Sequence, residues 1–397
     1  MTSTNSPVAI VGYAQSTIER NAERPLGAIT LETASRAIAD AGLKVDQIDG
    51  FVTVPLMPAI GDHAGTDGIH TVTAGWLAQH LRVHPCLTVD FGGPAQITGS
   101  VAVAASAVAS GAATYAVVHR ALHNPRGRYH GTSQREARGT SQWTMPQGQF
   151  GPIMTIALTY REYLERYSAS EGAMAALVVE ARKNGARIPW SYWRDNPLTE
   201  ADYLAAPMVN NPIRRLDCDI PVDGVAAFVL TSAERARDLP HRPVYLAGLA
   251  AGAPPHRRLP MHWPLDDVYE AGQYAAQGLW ARTGLTPSDV DLPQIYDGFA
   301  PLAWFWLEVL GFCPVGEAHR FVEDGGIDSD TPNGLPALSG GGALGNGRMH
   351  GVPQMLECYL QLSGRAGERQ RPNVAVGAAC QGSPHIGGVA IYTNEAG

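Results

Sequence analysis

The sequence lacks any basic cluster and is sparing with charge of either sign. Asp, Glu, Lys and Arg make up 17% of 397 residues, with a net charge of −8. Binding along a nucleic acid needs a Lys- or Arg-rich face to neutralise phosphates, so nucleic acid is excluded as a partner. No window reaches eighteen uninterrupted apolar residues, and the Ala-rich stretch 101–113 is interrupted by Gly111. That stretch therefore reads as a buried helix, and no membrane span is expected. Residues 1–7 hold neither a charged segment nor an apolar one, which argues against export and for a cytoplasmic protein. The five cysteines (Cys86, Cys218, Cys313, Cys358, Cys380) are scattered without metal-ligand spacing. Free thiols in a reducing compartment are expected, and no metal. His119, His123 and His130 likewise match no zinc pattern.

What is present is a large apolar fraction, 45% of the chain, enough to bury two or three domain-sized cores. Short Val/Ile runs alternate with Ala-rich helical patterns in two regions, which predicts α/β layers with two helix-covered sheets. In the first region, 8–13 reads as a strand, 31–41 as a helix, 48–54 as a strand, 85–89 as a strand, 96–110 as a buried helix and 115–119 as a strand. The second region repeats the grammar. Gln47-Ile48-Asp49-Gly50-Phe51 resembles Gln294-Ile295-Tyr296-Asp297-Gly298-Phe299, and the turns Gly92-Gly93 and Gly340-Gly341-Gly342 each precede a helix (96–110, 352–362) and a strand (115–119, 374–378). A duplicated chain follows, with residues 1–122 and 208–239 as the first half and 240–397 as the second. Residues 123–207, rich in Arg, Trp, Tyr and His, read as an insertion over the active face, with helices at 155–167 and 171–185 and an aromatic loop at 188–197. The apolar run 302–312 is either a buried helix or partly an interface. The Gly-rich loop 340–345 has no following ribose-binding acid in a βαβ unit, so no redox cofactor is implied.

Several of these stretches resemble the thiolase superfamily, in particular its lipid-transfer-protein-type thiolases and steroid side-chain aldolases. They are Asp223-Gly224-Val225-Ala226-Ala227, Ser339-Gly340-Gly341-Gly342 and Cys380-Gln381-Gly382, supported by 8–13, 296–301 and 380–388. The resemblance covers nearly the whole chain. It implies a five-layered α-β-α-β-α thiolase fold, a loop domain over the site, an acyl-CoA substrate and a homodimer formed through the first half. It also implies a small OB-fold-containing partner protein that extends the acyl-CoA channel. The departures are specific. Where thiolases place a nucleophilic cysteine at the start of the buried helix, this chain has Phe91-Gly92-Gly93-Pro94-Ala95, and Cys86 lies too far upstream to benefit from the helix N-terminus. The thiolase Asn-Glu-Ala-Phe motif is replaced by Tyr296-Asp297-Gly298-Phe299 and the Gly-His-Pro motif by Gly345-Asn346-Gly347.

Loss of the nucleophile together with a tyrosine in this position resembles the aldolases, which cleave β-hydroxyacyl-CoA thioesters by a retro-aldol reaction. That chemistry needs a base for the β-hydroxyl, donors for the thioester enolate and an acid to protonate it. Tyr296 is the candidate base. Its ordinary pKa of about 10 calls for a neighbouring cation, for which Arg348 and His350 are the candidates. His350, or the backbone amides around it, would hold an oxyanion. Cys380 reads either as an acid/base thiol or as a small buried hydrophobe, and His385 is a further candidate. Against coenzyme A the reading sets Arg348, on the phosphates, with Gly341 and Gly382 in the two tight turns. Coenzyme A enters as part of the substrate. Two other readings stay open: an acyltransferase using Cys380 or Ser339, and a non-catalytic CoA- or lipid-binding subunit.

Overall fold

The computed structural model describes residues 7–55, 66–91, 96–124, 137, 141–149, 151–254 and 263–396. The Gly92–Pro94 turn, Ala95 and His130 lie outside the described residues. In chain order the strands are β1 Val8–Gln15, β2 Gly50–Thr53, β3 Leu87–Asp90, β4 Tyr115–Leu122, β5 Met208–Asn210, β6 Ile213–Arg214, β7 Gly224–Ser232, β8 Val244–Ala251, β9 Leu292–Gln294, β10 Val376–Gln381 and β11 Gly388–Thr393. β5 and β6 pair only with each other. The other nine run in the order β3-β2-β4-β7-β1-β8-β11-β10-β9.

That order contains the duplication. β2-β4-β7-β1 and β9-β10-β11-β8 share one pattern, a parallel first pair followed by two antiparallel pairs. The two expected sheets touch edge to edge through a short β1–β8 pairing of Ala9 with Tyr245 and Ile10 with Val244. The repeat lies in the topology and not in the motif first aligned. Gly50 pairs with Ala116 and Leu292 with Gly377, so Gly50 corresponds to Leu292, which precedes Gly298 by six residues.

Five layers follow from which side chains share a core. Along β7, Val225, Ala227 and Val229 pack with Ala34, Ala37 and Ile38 of the outer helix Leu26–Asp40, whereas Ala226, Phe228 and Leu230 face the middle. In the middle lie helix Gln96–Ala109, through Ile97, Val101 and Ala104, and helix Val352–Leu362, through Met355, Leu356 and Tyr359. The second strand set completes the stack: Ala379, Ala390 and Tyr392 face this middle layer, while Ala378, Cys380, Val389 and Ile391 face helices Leu265–Thr283 and Ala300–Val309. Because both faces of each strand set are covered, the strands read as continuous apolar runs instead of alternating ones. Helix Ala300–Val309 is buried at every position, as its sequence, apolar but for Glu308, requires, and the Glu308 carboxylate accepts from Tyr163 and the Ala318 amide.

Between β4 and β5 the described chain is helical, with Pro152–Tyr167, Met174–Gly185 and Glu200–Ala205. Helix Met174–Gly185 crosses the short helix Gly342–Asn346 so closely that a Cβ on Gly345 would collide with the Ala181 carbonyl. This contact fixes the inserted segment against the Gly-rich loop of the second half. Element boundaries shift by a few residues. β4 extends to Leu122 where a stop at 119 was expected, because Arg120 interrupts the apolar pattern without interrupting the strand. β3 starts at Leu87, which leaves Cys86 exposed just ahead of it. All five cysteines are free.

Candidate active site

Tyr296 lies two residues beyond β9 and is 6% exposed. Gly298 makes room for its ring, since a Cβ there would collide with the phenol oxygen. Asp297 turns the other way. Its carboxylate accepts hydrogen bonds from the amides of Ala343 (2.6 Å) and Leu344 (3.0 Å) and from Gln354 Nε2 (2.9 Å). One buried aspartate thus ties the Tyr296 strand end to the Gly-rich loop and to helix Val352–Leu362. Burial raises its pKa to about 7 against those bonds.

The loop 347–351 brings Arg348 and His350 to the same interior region. Gly347 (φ +117°), His350 (φ +50°) and Gly351 (φ +87°) all occupy the left-handed side of backbone space. For histidine this conformation is costly and must be held by its surroundings. Arg120 of β4 supplies one hold, its Nη2 lying 2.6 Å from His350 Nδ1. A guanidinium has donors only, so Nδ1 accepts and the ring proton is assigned to Nε2. Arg120 also donates to the Val54 carbonyl and, at 3.1 Å, to Gln96 Oε1 at the start of the middle-layer helix. Burial draws the Arg120 pKa down to about 9, which leaves it charged at neutral pH.

Arg348 is also inside, 5% exposed, with its amide on the Ile220 carbonyl at 2.9 Å and its guanidinium on Asn124 Oδ1. Asn124 is held in turn by Val222 and Asp223. At this buried location Arg348 acts electrostatically on Tyr296. Burial drives the Tyr296 phenol well above its ordinary pKa, and Asp219 and Asp297 add to that; Arg348 and Arg120 pull the other way. Cys380, at the end of β10, receives the Tyr296 backbone N–H, and burial pushes its thiol well above the usual range. A thiol held protonated in this way is a proton donor and a poor nucleophile.

The remaining candidates separate from this group. Gly341 is packed against Gly185 and Asn346, where any Cβ would be crowded, so its lack of a side chain permits the helix crossing. Gly382 sits in a turn whose carbonyl accepts from Trp306 Nε1 at 2.7 Å. His385 pairs with Ser383 Oγ at 2.9 Å and packs edge-on against Trp263; burial lowers its pKa to about 4. Ser339 is bonded to Gln294 and Glu357.

A cavity of about 550 Å³ is lined by two residues bonded to the Tyr296 segment, while Tyr296, His350 and Cys380 are not themselves among its lining residues. Asp219 and Leu344 line its inner wall; the Asp219 amide donates to the Gly298 carbonyl at 3.2 Å and the Leu344 amide to Asp297. Val178, Leu216 and Ile220 add apolar surface, and Arg20, Arg182 and Arg215 add cations. The Arg182 guanidinium lies 3.7 Å over the Trp193 ring and donates to the Asn196 carbonyl at 2.6 Å. Trp193 therefore joins this cavity, whereas Trp190 of the same aromatic loop lines a separate, polar cavity of about 970 Å³ beside Tyr13 and Arg365. Arg120, Gln96, Asn124, Asp219 and the three cavity arginines were missed in the sequence. Only Arg120 left a signal there, a charge inside an otherwise apolar strand.

Among the described residues no group of three or more His, Cys, Asp or Glu could hold a metal ion, and no helix is long and apolar enough to cross a membrane. Residues 261–391 match the family model described as Thiolase C-terminal domain-like. The chain is 33% identical over 370 residues to a 17-hydroxy-3-oxo-4-pregnene-20-carboxyl-CoA lyase of Mycobacterium tuberculosis, covering 90% of this chain and 91% of that one. A steroid side-chain-cleaving aldolase of Thermomonospora curvata is 32% identical over 367 residues, with 90% of each chain covered. Among solved structures, an Ltp2-ChsH2(DUF35) aldolase superposes with a TM-score of 0.84 at 28% identity, over 98% of this chain and 97% of that one. With the five layers, the missing nucleophile and the Tyr296 cluster, these likenesses carry one conclusion: the chain belongs to the thiolase superfamily, among its steroid side-chain-cleaving aldolases, and is a carbon–carbon lyase.

Proposed function

We propose that this protein cleaves a β-hydroxyacyl-CoA thioester by a retro-aldol reaction, with a steroid side chain as the acyl group. The observation that carries the reading is the 550 Å³ cavity, apolar over much of its wall and bearing cations, whose lining residues Asp219 and Leu344 are hydrogen-bonded to Gly298 and Asp297 beside Tyr296. Arg20 and Arg215 are exposed and suit the phosphates of coenzyme A, and the Arg182–Trp193 stack offers a face for its base. The name of the mycobacterial relative describes such a substrate, a steroid CoA thioester bearing a hydroxyl.

In this reading the Tyr296 phenolate, in the field of Arg348 and Arg120, takes the β-hydroxyl proton. The carbonyl forms as the Cα–Cβ bond breaks, and the electron pair moves onto the thioester as an enolate. The Nε2–H of His350 donates to the enolate oxygen. Cys380 gives its proton to Cα, and the proton that Tyr296 took from the β-hydroxyl passes through water to the Cys380 thiolate, which leaves neither group changed over the cycle. A hydroxyl at a steroid ring carbon becomes a ketone, and a short acyl-CoA leaves. No covalent intermediate is required, and coenzyme A takes part only as a portion of the substrate.

The assembly proposed with it is a homodimer through the first half, joined by a small OB-fold-containing partner that extends the channel. β3 supports the dimer, because it is an edge strand that pairs only with β2 and has alternate residues exposed. The name Ltp2-ChsH2(DUF35) couples two components and supports the partner. The test is product mass after incubation with a panel of β-hydroxyacyl-CoA thioesters, hydroxysteroid ones included, with and without the partner. Formation of a ketone and a shorter acyl-CoA upholds the reading. Absence of cleavage across the panel, with the partner present, overturns it.

A further inference from the structure

Arg120 shares its face of β4 with Ala116, Val118 and Leu122, which fill the middle layer. A guanidinium there is 0% exposed. Burial of such a charge is costly unless an anion accompanies it. Its partners are the Val54 carbonyl, Gln96 Oε1 and His350 Nδ1, none of them an anion, and its Nε has no partner. Ionisable groups that interact with it include the neighbouring His119, Tyr296 and a second cation, Arg348. Among the described residues, then, no carboxylate is hydrogen-bonded to this buried guanidinium. A phenolate at Tyr296 is the anion that would match it.

We propose that Arg120 is a positioning residue of the lyase reaction: it fixes His350 as a neutral Nε2–H donor and supplies the positive charge that makes the Tyr296 phenolate accessible. The proposal rests on the retro-aldol reading. It ties the candidate base and the candidate oxyanion donor to one side chain on the first-half strand β4, although Tyr296 and His350 come from two separate loops of the second half. Four charged groups act on Tyr296, namely Asp219, Asp297, Arg348 and Arg120, and the two carboxylates oppose the phenolate. Loss of Arg120 leaves Arg348 alone against both.

The test compares Arg120→Gln, Arg120→Lys and Tyr296→Phe with the parent enzyme on a substrate the parent cleaves. Arg120→Gln is expected to lower kcat roughly 10- to 1000-fold with little change in KM, and to move the limb at which activity rises with pH upward by about one unit or more. Arg120→Lys, which keeps the charge, holds that limb near its parental position. In parent protein labelled with ¹⁵N-histidine, His350, identified by its loss in His350→Gln, shows the neutral Nε2–H form from pH 5.5 to 8 (about the span over which an ordinary histidine titrates). This measurement needs no Arg120 variant to fold. Normal turnover and an unmoved limb in Arg120→Gln, while Tyr296→Phe is inactive, overturn the Arg120 assignment and leave the lyase reading standing. So does a cationic or Nδ1–H His350. Full activity in Tyr296→Phe overturns both.

Discussion

Asp297→Asn separates what the buried carboxylate does as a hydrogen-bond acceptor from what its charge costs. Oδ1 accepts from Ala343 and Gln354, and Oδ2 accepts from Leu344. An amide in this position keeps one acceptor and turns an N–H₂ toward the Leu344 N–H, losing one buried hydrogen bond, about 1–3 kcal/mol. Against this stands the charge. The folded pKa of about 7 is raised from 3.8, so between those values the folded state binds a proton that the unfolded state has released. Stability contributed by the protonated form is present below pH 3.8 and is lost as pH rises toward 7, by on the order of 4 kcal/mol at 1.36 kcal/mol per pH unit. The variant has no such loss. At pH 5 Asp297→Asn should therefore unfold at lower urea than the parent, and by pH 8 the gap should close or reverse. Urea melts of both proteins at the two pH values measure it. An equal gap at both would refute the claim that Asp297 is held at the expense of its charge.

Tyr296→Phe keeps the ring that Gly298 accommodates and removes the hydroxyl, so kcat should fall about 10²–10⁴-fold, or roughly 3–5 kcal/mol in the barrier, with KM little changed. Near-normal turnover would make Tyr296 a core aromatic. Intact mass after incubation with acetyl-CoA or propionyl-CoA should show no acyl adduct, because burial keeps the Cys380 thiol protonated; a stable adduct abolished by Cys380→Ser would move the protein to the acyltransferases. Trp193→Ala should raise KM for acyl-CoA and alter acyl preference, since the ring lines the 550 Å³ cavity under Arg182, whereas Trp190→Ala, on the other cavity, should leave both unchanged. Equal kinetic effects from the two substitutions would contradict the division between the cavities.

The layered architecture was legible because apolar content alone separates buried strands from solvated ones. The run Val225–Leu230 is apolar on both faces, and the helix Ala300–Val309 is apolar but for Glu308, as a sheet covered on both faces and a fully buried helix require. The duplication was legible as grammar and misleading as motif. The Q-I-D-G-F likeness puts Gly50 on Gly298, whereas the strand pairings put it on Leu292. A short motif of turn-forming residues recurs wherever a strand meets a helix, so identity at five positions carries less information than the hydrogen-bond register.

Half of the active-site cluster could be read in the same way. Tyr296, Arg348, His350 and Cys380 each stand within two residues of a glycine, and such residues are visible as departures from packing logic. Their partners come from elsewhere in the chain, 230 positions away in the Arg120–His350 bond and 224 in the Arg348–Asn124 bond. Sequence spacing is blind to contacts of that range; only the stacking of two halves across the middle layer creates them. Burial also changes the chemistry assigned to each group. Arg348 reads in the sequence either as a cation beside Tyr296 or as a contact for phosphate, and inside the fold it is a buried charge that acts on the phenol. Cys380 appears as a potential nucleophile, yet the surroundings that bury it hold its proton. The same side chains support acyl transfer or retro-aldol cleavage according to the dielectric around them, and in this fold that dielectric is set by residues from the opposite half.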